Sequence, residues 1–243
     1  MIMPNKRIFC DLCGSNNLFR KYSDVSDYES FIDIKIDILC CRNCGLIQQS
    51  QIFSKEEIKN FYLGDYHGRN YGEKKVLDKI STFLRSRYYK RFIKLLKDQN
   101  KKNTIKILDY GSGDGFLCNE LNKAGYKNLY SCDFFKPTTI KSTKHIFPEK
   151  VNEYYHFFDV VFMINSIEHL TSFRNDFKYI DLSLKDSSIL IIETPNFNSL
   201  DSFIFKKYWG GLHQPRHTYL WTETSLLKHL SLWKYESHSF KAP

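Results

Sequence analysis

One stretch constrains the fold more than any other: an apolar run that reaches an aspartate and passes into three alternating glycines. Residues 105–110 read Ile-Lys-Ile-Leu-Asp-Tyr, and Gly111, Gly113 and Gly115 follow. A helical segment then starts at Phe116. This order predicts a strand, a glycine turn and a helix N-terminus, an arrangement that lets a ligand lie against bare backbone.

The spacing of the glycines indicates which ligand the turn suits. A dinucleotide fingerprint has Gly-x-Gly-x-x-Gly around a pyrophosphate, whereas this turn is Gly-x-Gly-x-Gly and position 116 is Phe. A helix N-terminus without phosphate would face a carboxylate. Asp133 ends a second apolar stretch, where it could accept both hydroxyls of a ribose. An adenosine that carries a carboxylate and no phosphate is S-adenosylmethionine, although a purely structural turn with a chance aspartate is the alternative.

Two Cys-x-x-Cys-Gly turns near the start predict a metal site. They place Cys10 with Cys13 and Cys41 with Cys44, and two such turns complete a closed tetrahedral site for structural zinc. Cys40 could compete with Cys41, but the spacing favours Cys41. Between the turns, isoleucines alternate with charged residues from Ile32 to Ile38, which predicts a strand. The segment reads as a zinc ribbon.

Composition narrows the class of protein. The 243 residues are 42% hydrophobic and 16% aromatic, enough for a packed core. No apolar run approaches the length of a membrane span and no secretory signal is visible, so we expect a cytoplasmic protein. The net charge of +9 favours acidic or phosphate-bearing partners. The acidic residues between the cysteine pairs argue against nucleic acid, and the oligomeric state stays open.

Strands and helices alternate after the glycine turn. Apolar runs at 157–164 and 188–193 predict strands buried on both faces, and amphipathic periodicity predicts helices at 78–99, 173–184 and 223–232. The segment between Asp133 and Asp159 must hold a third strand that the pattern does not locate. Residues 235–240 could form a last strand. The alternation predicts an α/β protein with a doubly wound, mostly parallel sheet.

The segment before this sheet has its own signals. Ser54 opens a capping box with Glu57, which predicts a short helix. Residues 64–72 are rich in glycine and tyrosine, and they form either a linker or a lid in which Tyr66 and Tyr71 cap the cofactor.

Four segments together resemble the class I S-adenosylmethionine-dependent methyltransferases: 108–115, Asp133, the Asn-x-x-Glu-His-Leu run 165–170, and Pro-Arg-His-Thr-Tyr at 215–219. With the cysteine turns, the chain is similar to bacterial members that carry an N-terminal zinc ribbon, including sugar methyltransferases of surface-polysaccharide pathways. The resemblance implies a Rossmann-like methyltransferase fold. It also implies a set of cofactor-binding residues: Asp109, Tyr110, Gly111, Gly113, Gly115, Asp133, Phe134, Asn165 and Tyr71.

Two departures from this family stand out. The family sheet ends in an antiparallel strand, and little sequence remains after Phe240 to form it, so the sheet could lack this strand or the chain could be truncated. The further C-terminal domain of sugar C-methyltransferases is also absent, which makes carbon a less favoured acceptor.

The resemblance to sugar methyltransferases favours His217 as the base that removes a proton from an acceptor hydroxyl, with His169 and His213 as rivals. Arg216 would hold an acidic or ring-shaped acceptor. Each of these histidines could instead be a structural hydrogen-bonding residue.

The sequence therefore predicts three parts: a zinc ribbon at 1–50, a helical linker and lid at 51–103, and a methyltransferase domain at 104–243. We expect methyl transfer to a sugar or other small acidic acceptor, such as a nucleotide sugar. One alternative is a non-catalytic cofactor-binding or nucleic-acid-binding protein that recognises its partner through the zinc ribbon. The other is an NAD-dependent oxidoreductase.

Overall fold

A computed structural model of the chain describes residues 5–27, 32, 34–62, 75–137, 143–233 and 235. Two compact units divide the chain. The cysteine unit comprises Met1–Tyr62, Ile167–Asp176 and Thr194–Pro243, and the glycine-turn unit comprises Leu63–Ser166 and Phe177–Glu193. The division into ribbon, linker and methyltransferase domain at 1–50, 51–103 and 104–243 stays a prediction about functional parts.

The regular elements follow the alternation expected from the sequence. The strands are β1 (Asn5–Lys6), β2 (Leu18–Val25), β3 (Ile36–Cys41), β4 (Ile47–Gln49), β5 (Gln51–Ile52), β6 (Lys106–Tyr110), β7 (Asn128–Cys132), β8 (Lys144–Ile146), β9 (Phe158–Ile164), β10 (Leu184–Glu193) and β11 (Tyr219–Leu220). The α-helices are α1 (Lys55–Asn60), α2 (Lys75–Asp98), α3 (Phe116–Lys123), α4 (Phe173–Ser183), α5 (Leu200–Phe205) and α6 (Glu223–Leu232).

The glycine-turn unit is built on a five-stranded sheet in the order β10-β9-β6-β7-β8. Every pairing in it is parallel, and β6 pairs with β7 on one side and β9 on the other. The predicted α/β class with a mostly parallel sheet is therefore confirmed. In the described residues this sheet contains no antiparallel strand.

One face of this sheet is covered by α2 and α3. Alternate strand residues such as Ile107, Leu129 and Phe162 point to this face and pack with Leu96 and Leu121 of the two helices. Leu108, Val161 and Met163 alternate with them and are also fully buried, so the opposite face is covered too. Burial on both faces explains why these strands read as continuous apolar runs.

Helix α2 departs from the expectation of one continuous buried face. Phe92 and Leu96 are buried, but Ile80, Phe83 and Leu84 in its first half are more than half exposed. Residues packed against the core begin at Tyr88. Helical periodicity correctly predicted the helix, but it did not reveal how far along the helix the packing extends.

The strand that the sequence pattern did not locate is β8. It contains only Lys144–Ile146 and pairs with β7 at the edge of the sheet. Three residues are too few to show a period-two pattern.

The cysteine unit contains an antiparallel sheet in the order β11-β4-β3-β2, and β1 pairs with β5. The strand expected from Ile32 to Ile38 begins instead at Ile36 and continues through Cys41. Ile32 and Ile34 lie outside any strand, and residue 33 lies outside the described residues. The alternation of isoleucines thus places the start of the strand too early, and β3 continues beyond Ile38 to the first cysteine of the second turn.

Strand β11, late in the chain, belongs to the sheet of this unit. Strand β11 pairs with β4, and the Tyr219 hydroxyl donates a hydrogen bond to the Asp11 carboxylate next to the first cysteine turn. The same carboxylate accepts the backbone N–H of Phe173 at 2.8 Å. Arg174 donates to the carbonyl of Leu12 at 2.7 Å. Hydrogen bonds thus join the N-terminal cysteine segment to residues more than 150 positions later.

Two smaller expectations have different outcomes. Ser54 and Glu57 form the capping box of α1 as expected. Tyr66, Tyr71 and residues 236–240 lie outside the described residues, so the lid and the last strand stay predictions. Across the parts of the chain that are described, no helix has the length and apolar character needed to cross a membrane.

Candidate functional site

The turn between β6 and α3 adopts a conformation that requires glycine. Gly111, Gly113 and Gly115 have φ angles of 77°, 53° and 77°, in the left-handed region. The backbone N–H groups of Gly111 and Ser112 donate to the carbonyl of Cys132 at 2.8 and 3.0 Å, which ties the turn to the end of β7. Three positive φ values in five residues explain the alternating glycines of the sequence.

Gly111 is also a point of close approach. A Cβ atom built on Gly111 would lie 2.3 Å from the Cβ of Ser166, the second residue after β9. The loops after β6 and β9 therefore touch at the point where the strand order reverses. Strands β7 and β8 lie on one side of β6, and β9 and β10 lie on the other. Ligands of open α/β sheets bind at this position.

Asp133 faces the glycine turn. Its Oδ2 accepts a hydrogen bond from the Gly113 N–H at 2.8 Å, and Gly113 has open space on its Cβ side. Asp133 directly follows β7, so the carboxylate lies at the same strand end as the turn. The structure thus brings together the two features on which the cofactor interpretation depends.

Asp109, the second-last residue of β6, is buried two positions before Gly111. Burial raises the pKa of Asp109 to about 7, and the charges of Asp133 and Asp114 add to the increase. The Cys118 thiol donates to its Oδ2 at 3.6 Å and opposes the shift. The carboxyl groups of Asp109, Asp114 and Asp133 thus lie around the turn.

The entrance to α3 is held by an ion pair. Arg85 of α2 binds the Asp114 carboxylate through two nitrogens at 2.8 and 2.9 Å and stacks over the Phe116 ring. Helix α3 has Gly115 as its N-cap and no acidic residue in its first turn. Asp114, directly before the N-cap, accepts the backbone N–H of Phe116 at 3.1 Å, so one carboxylate already faces the positive end of the helix dipole.

The remaining residues predicted to bind the cofactor lie at or near the same strand ends. Tyr110 is the last residue of β6, Phe134 is the second residue after β7, and Asn165 directly follows β9 with a positive φ of 49°. Tyr71 lies outside the described residues. Ser166 was not predicted, and its position next to Asn165 was the available signal. The buried hydroxyls of Ser112 and Ser166 have no hydrogen-bond partner among the described residues, which fits a polar ligand at this edge.

The four predicted cysteine ligands converge in the cysteine unit. The sulfur atoms of Cys10, Cys13, Cys41 and Cys44 all lie within 4.8 Å of one another. The Cys10–Cys44 and Cys13–Cys41 sulfur distances are 3.4 and 3.5 Å, too long for disulfides. Four sulfurs around one zinc at about 2.3 Å would lie roughly 3.8 Å apart. Cys40 lies outside the cluster, as its neighbour's better spacing predicted.

The three candidate catalytic histidines form a second cluster in the cysteine unit. The ring centroids of His169 and His217 are 4.6 Å apart, and those of His213 and His217 are 5.0 Å apart. Burial lowers the pKa of His169 to about 4 and holds the pKa of His217 well below its usual value. These two imidazoles are therefore neutral at physiological pH.

Glu168 belongs to this cluster and was missed as a site residue. One ligand atom each from Glu168, His169 and His217 lies within 4.8 Å of the other two. The Glu168 side chain is 1% exposed and accepts a hydrogen bond from Thr194 Oγ1 at 2.9 Å. Its place directly before His169, at the end of a buried strand, was the sequence signal that could have identified it.

Arg216 supports the cluster. It is fully buried, pairs with the Asp27 carboxylate and donates to the Phe61 carbonyl at 3.0 Å. Its NH1 also lies 3.3 Å from His213 Nε2. These contacts give Arg216 a structural role in holding the loop that carries His213 and His217.

Comparisons with known proteins identify a family and a fold for this chain. The profile of a family described as a methyltransferase domain matches residues 82–232, more than half of the chain. No curated protein matches the sequence. Among solved structures, a SAM-dependent methyltransferase from Archaeoglobus fulgidus is 22% identical, with a TM-score of 0.50 over 62% of this chain and 67% of that chain. This likeness shows the fold.

Two further solved structures are similar at lower TM-scores. The magnesium protoporphyrin IX methyltransferase of Synechocystis PCC 6803, with bound SAH, is 17% identical at a TM-score of 0.48, over 72% of this chain and 82% of that chain. A Burkholderia thailandensis 1,6-didemethyltoxoflavin-N1-methyltransferase is 12% identical at 0.49, over 83% and 85%.

The close approach at Gly111 gives a matched pair of substitutions. Gly113→Ala should cost about 1–2 kcal/mol of unfolding free energy, because alanine is strained at positive φ. Gly111→Ala carries the same strain and a collision with Ser166, so it should cost about 1–3 kcal/mol more. Urea unfolding followed by circular dichroism measures both losses.

Ser166→Gly removes the atom that the new methyl group would meet. Combined with Gly111→Ala, it should restore most of the extra loss of unfolding free energy. Combined with Gly113→Ala, it should leave the loss caused by that substitution unchanged. Equal losses at the two glycines would contradict the contact.

Proposed function

Since the chain belongs to the methyltransferase domain family, we propose that it transfers the methyl group of S-adenosylmethionine to a small acceptor. The methyl donor would bind at the glycine turn, with its amino-acid carboxylate toward the N-terminus of α3 and its ribose toward Asp133. When bound, the donor supplies an activated methyl group. The protein must then align the acceptor and accept its proton.

One observation carries this proposal: Asp133 and the glycine turn lie together at the carboxyl ends of β6 and β7. The Gly113 N–H donates to the Asp133 carboxylate, which holds an acidic acceptor at the edge of a backbone surface free of side chains. A carboxylate at this point suits a ribose, whose hydroxyls are hydrogen-bond donors.

The same site is poorly suited to a dinucleotide. Arg85 already pairs with Asp114, so it is not available for a phosphate, and a pyrophosphate would place two negative charges close to the Asp133 carboxylate. A zwitterionic amino-acid tail and a sulfonium cation are better matched to this field. The spacing of the glycines points in the same direction, so NAD is the less favoured ligand.

For the acceptor we propose a sugar-type or otherwise acidic small molecule, such as a nucleotide sugar or a surface-glycan precursor, methylated at oxygen. The support is the resemblance of the 165–170 and 215–219 motifs to sugar methyltransferases and the net charge of +9, which favours anionic partners. We also retain the expectation of a cytoplasmic enzyme.

For proton removal we propose the histidine cluster, with His217 favoured over His169 and His213. The Nδ1 atom of His217 lies 2.8 Å from the Gly211 carbonyl oxygen. A carbonyl oxygen only accepts hydrogen bonds, so Nδ1 carries the proton and Nε2 presents a lone pair. The alternative role of these histidines, as structural hydrogen-bonding residues, is the outcome that mutation must exclude.

For the four-cysteine cluster we propose a structural zinc ion. The cysteines supply four sulfurs and no open position, which is the donor set of zinc sites that stabilise a fold. Because the cluster joins the turn before β2 to the turn after β3, an ion there would hold together one end of this antiparallel strand pair. This places zinc in a structural role, apart from methyl transfer.

Calorimetry with S-adenosylhomocysteine tests the donor site. Binding should be measurable for this product and absent for NAD. Asp133→Ala should weaken binding at least about tenfold, because it removes charge-assisted hydrogen bonds worth roughly 1.5–3 kcal/mol each. Asp133→Asn, which can still accept from Gly113, should weaken it less.

Asp186→Ala is the matched control, because the Asp186 side chain is 96% exposed in the same unit. It should bind S-adenosylhomocysteine like the unaltered protein. NAD binding in place of S-adenosylhomocysteine, or full affinity in Asp133→Ala, would contradict the proposal.

His217→Ala tests the histidine cluster once an acceptor has been found by incubation with candidate sugar nucleotides and detection of a one-methyl mass gain. Turnover should fall by about a hundredfold or more, the usual contribution of a positioned proton acceptor. The affinity for S-adenosylhomocysteine should not change. His156→Ala, at an exposed histidine, serves as control, and full activity in His217→Ala would remove this residue from the mechanism.

The two adjacent cysteines provide the test of the zinc cluster. Cys41→Ser should lower the zinc content measured by mass spectrometry by one ion per chain, because it removes one of four ligands. Cys40→Ser removes a thiol next to it that lies outside the cluster and should leave the zinc content unchanged. Equal zinc contents in the two variants would contradict the assignment.

A further inference from the structure

We propose that Glu168, His169 and His217 form a second metal site, which binds a divalent first-row transition metal such as Zn²⁺. The three side chains lie in the cysteine unit, on the short helical turn at 167–169 and on the loop before β11. They are distinct from the four cysteines, and together they supply two imidazoles and one carboxylate.

The geometry places the donors around a common point. One ligand atom of each residue lies within 4.8 Å of the other two. Two ligands of a tetrahedral ion bound at about 2.1 Å would be roughly 3.4 Å apart. The site must therefore contract by at most about 1.4 Å, and the Glu168 side chain has enough rotatable bonds to provide this movement.

The hydrogen bonds of the two histidines orient the rings as metal ligands. His217 Nδ1 lies 2.8 Å from the Gly211 carbonyl, and His169 Nδ1 lies 3.0 Å from the Arg216 carbonyl. The Tyr62 hydroxyl is a second partner of His169 Nδ1, at 2.7 Å. Because a carbonyl oxygen only accepts, Nδ1 of each ring carries the proton, and Nε2 is the atom left to bind an ion. Metal-binding histidines characteristically donate their second ring N–H to such an outer partner.

The carboxylate has its own outer contact and a charge that an ion would balance. Glu168 is 1% exposed, and Thr194 donates a hydrogen bond to its Oε2 at 2.9 Å. A carboxylate removed from water requires compensation by a nearby positive charge or by hydrogen bonds, and a divalent cation supplies the charge.

The donor set determines the class of metal. Two neutral imidazoles and one carboxylate suit Zn²⁺ and Fe²⁺, and they leave at least one coordination position open. A role for this ion in methyl transfer rests on the proposed function. An ion held by the two Nε2 atoms would lower the pKa of an acceptor oxygen bound at the open position, so the ion rather than a free imidazole would promote loss of the proton. Metal binding itself is independent of methyl transfer.

Metal titration of the full chain tests the site. We expect two Zn²⁺ per chain by mass spectrometry. In titrations with Co²⁺, one equivalent should show the intense sulfur-to-metal absorption of a thiolate site, and the other should lack it. His169→Ala and His217→Ala should each lose the second equivalent and retain the first.

His213→Ala is the matched control, because His213 belongs to the same histidine cluster but not to the proposed ligand set. It should retain both equivalents. Glu168→Gln, nearly identical in shape, should weaken the second equivalent at least about tenfold and serves if a histidine variant fails to fold, which circular dichroism would reveal.

The outcomes separate this site from the other proposals. A single equivalent with thiolate absorption in the unaltered chain, or two equivalents in both histidine variants, would overturn the inference. A single equivalent without thiolate absorption would support it and instead remove the zinc from the cysteines. If these variants bind S-adenosylhomocysteine with unchanged affinity, the proposed donor site is independent of the second metal site.

Discussion

The hydrogen bond between the Gly113 N–H and the Asp133 carboxylate is the interaction on which the proposed donor site depends. It joins the loops after two adjacent parallel strands, and the contact of Gly111 with Ser166 joins the loop after a third. Three strand ends are thereby fixed at one edge of the sheet. At Gly111 a side chain would collide with Ser166, and the positive φ at all three glycines disfavours any residue with a Cβ atom.

Local patterns in the sequence predicted this part of the molecule well. The apolar runs identified β6, β9 and β10, and the glycine spacing identified the turn. The expected methyltransferase and the α/β fold are confirmed by family membership and by the fold, which sets aside the non-catalytic alternatives. These features were readable because each depends on residues that are close together in the chain. The cofactor-binding roles of the individual residues stay predictions.

Long-range pairing was not predictable in the same way. No local pattern indicates that β11 pairs with β4, or that Tyr219 donates to Asp11, because these partners are 170 or more residues apart. The early start predicted for β3, at Ile32, has a similar cause, since pairing with β2 and β4 rather than side-chain alternation determines where β3 lies. Glu168 and Ser166 were overlooked because their importance comes from what they contact in space.

The central claim is that the glycine turn and Asp133 hold S-adenosylmethionine, and a crystal structure with S-adenosylhomocysteine tests it most directly. The account predicts density for the amino-acid tail along residues 111–115 and for the ribose hydroxyls within hydrogen-bonding distance of the Asp133 carboxylate. A nucleoside bound elsewhere, or bound with its ribose turned away from Asp133, would contradict it.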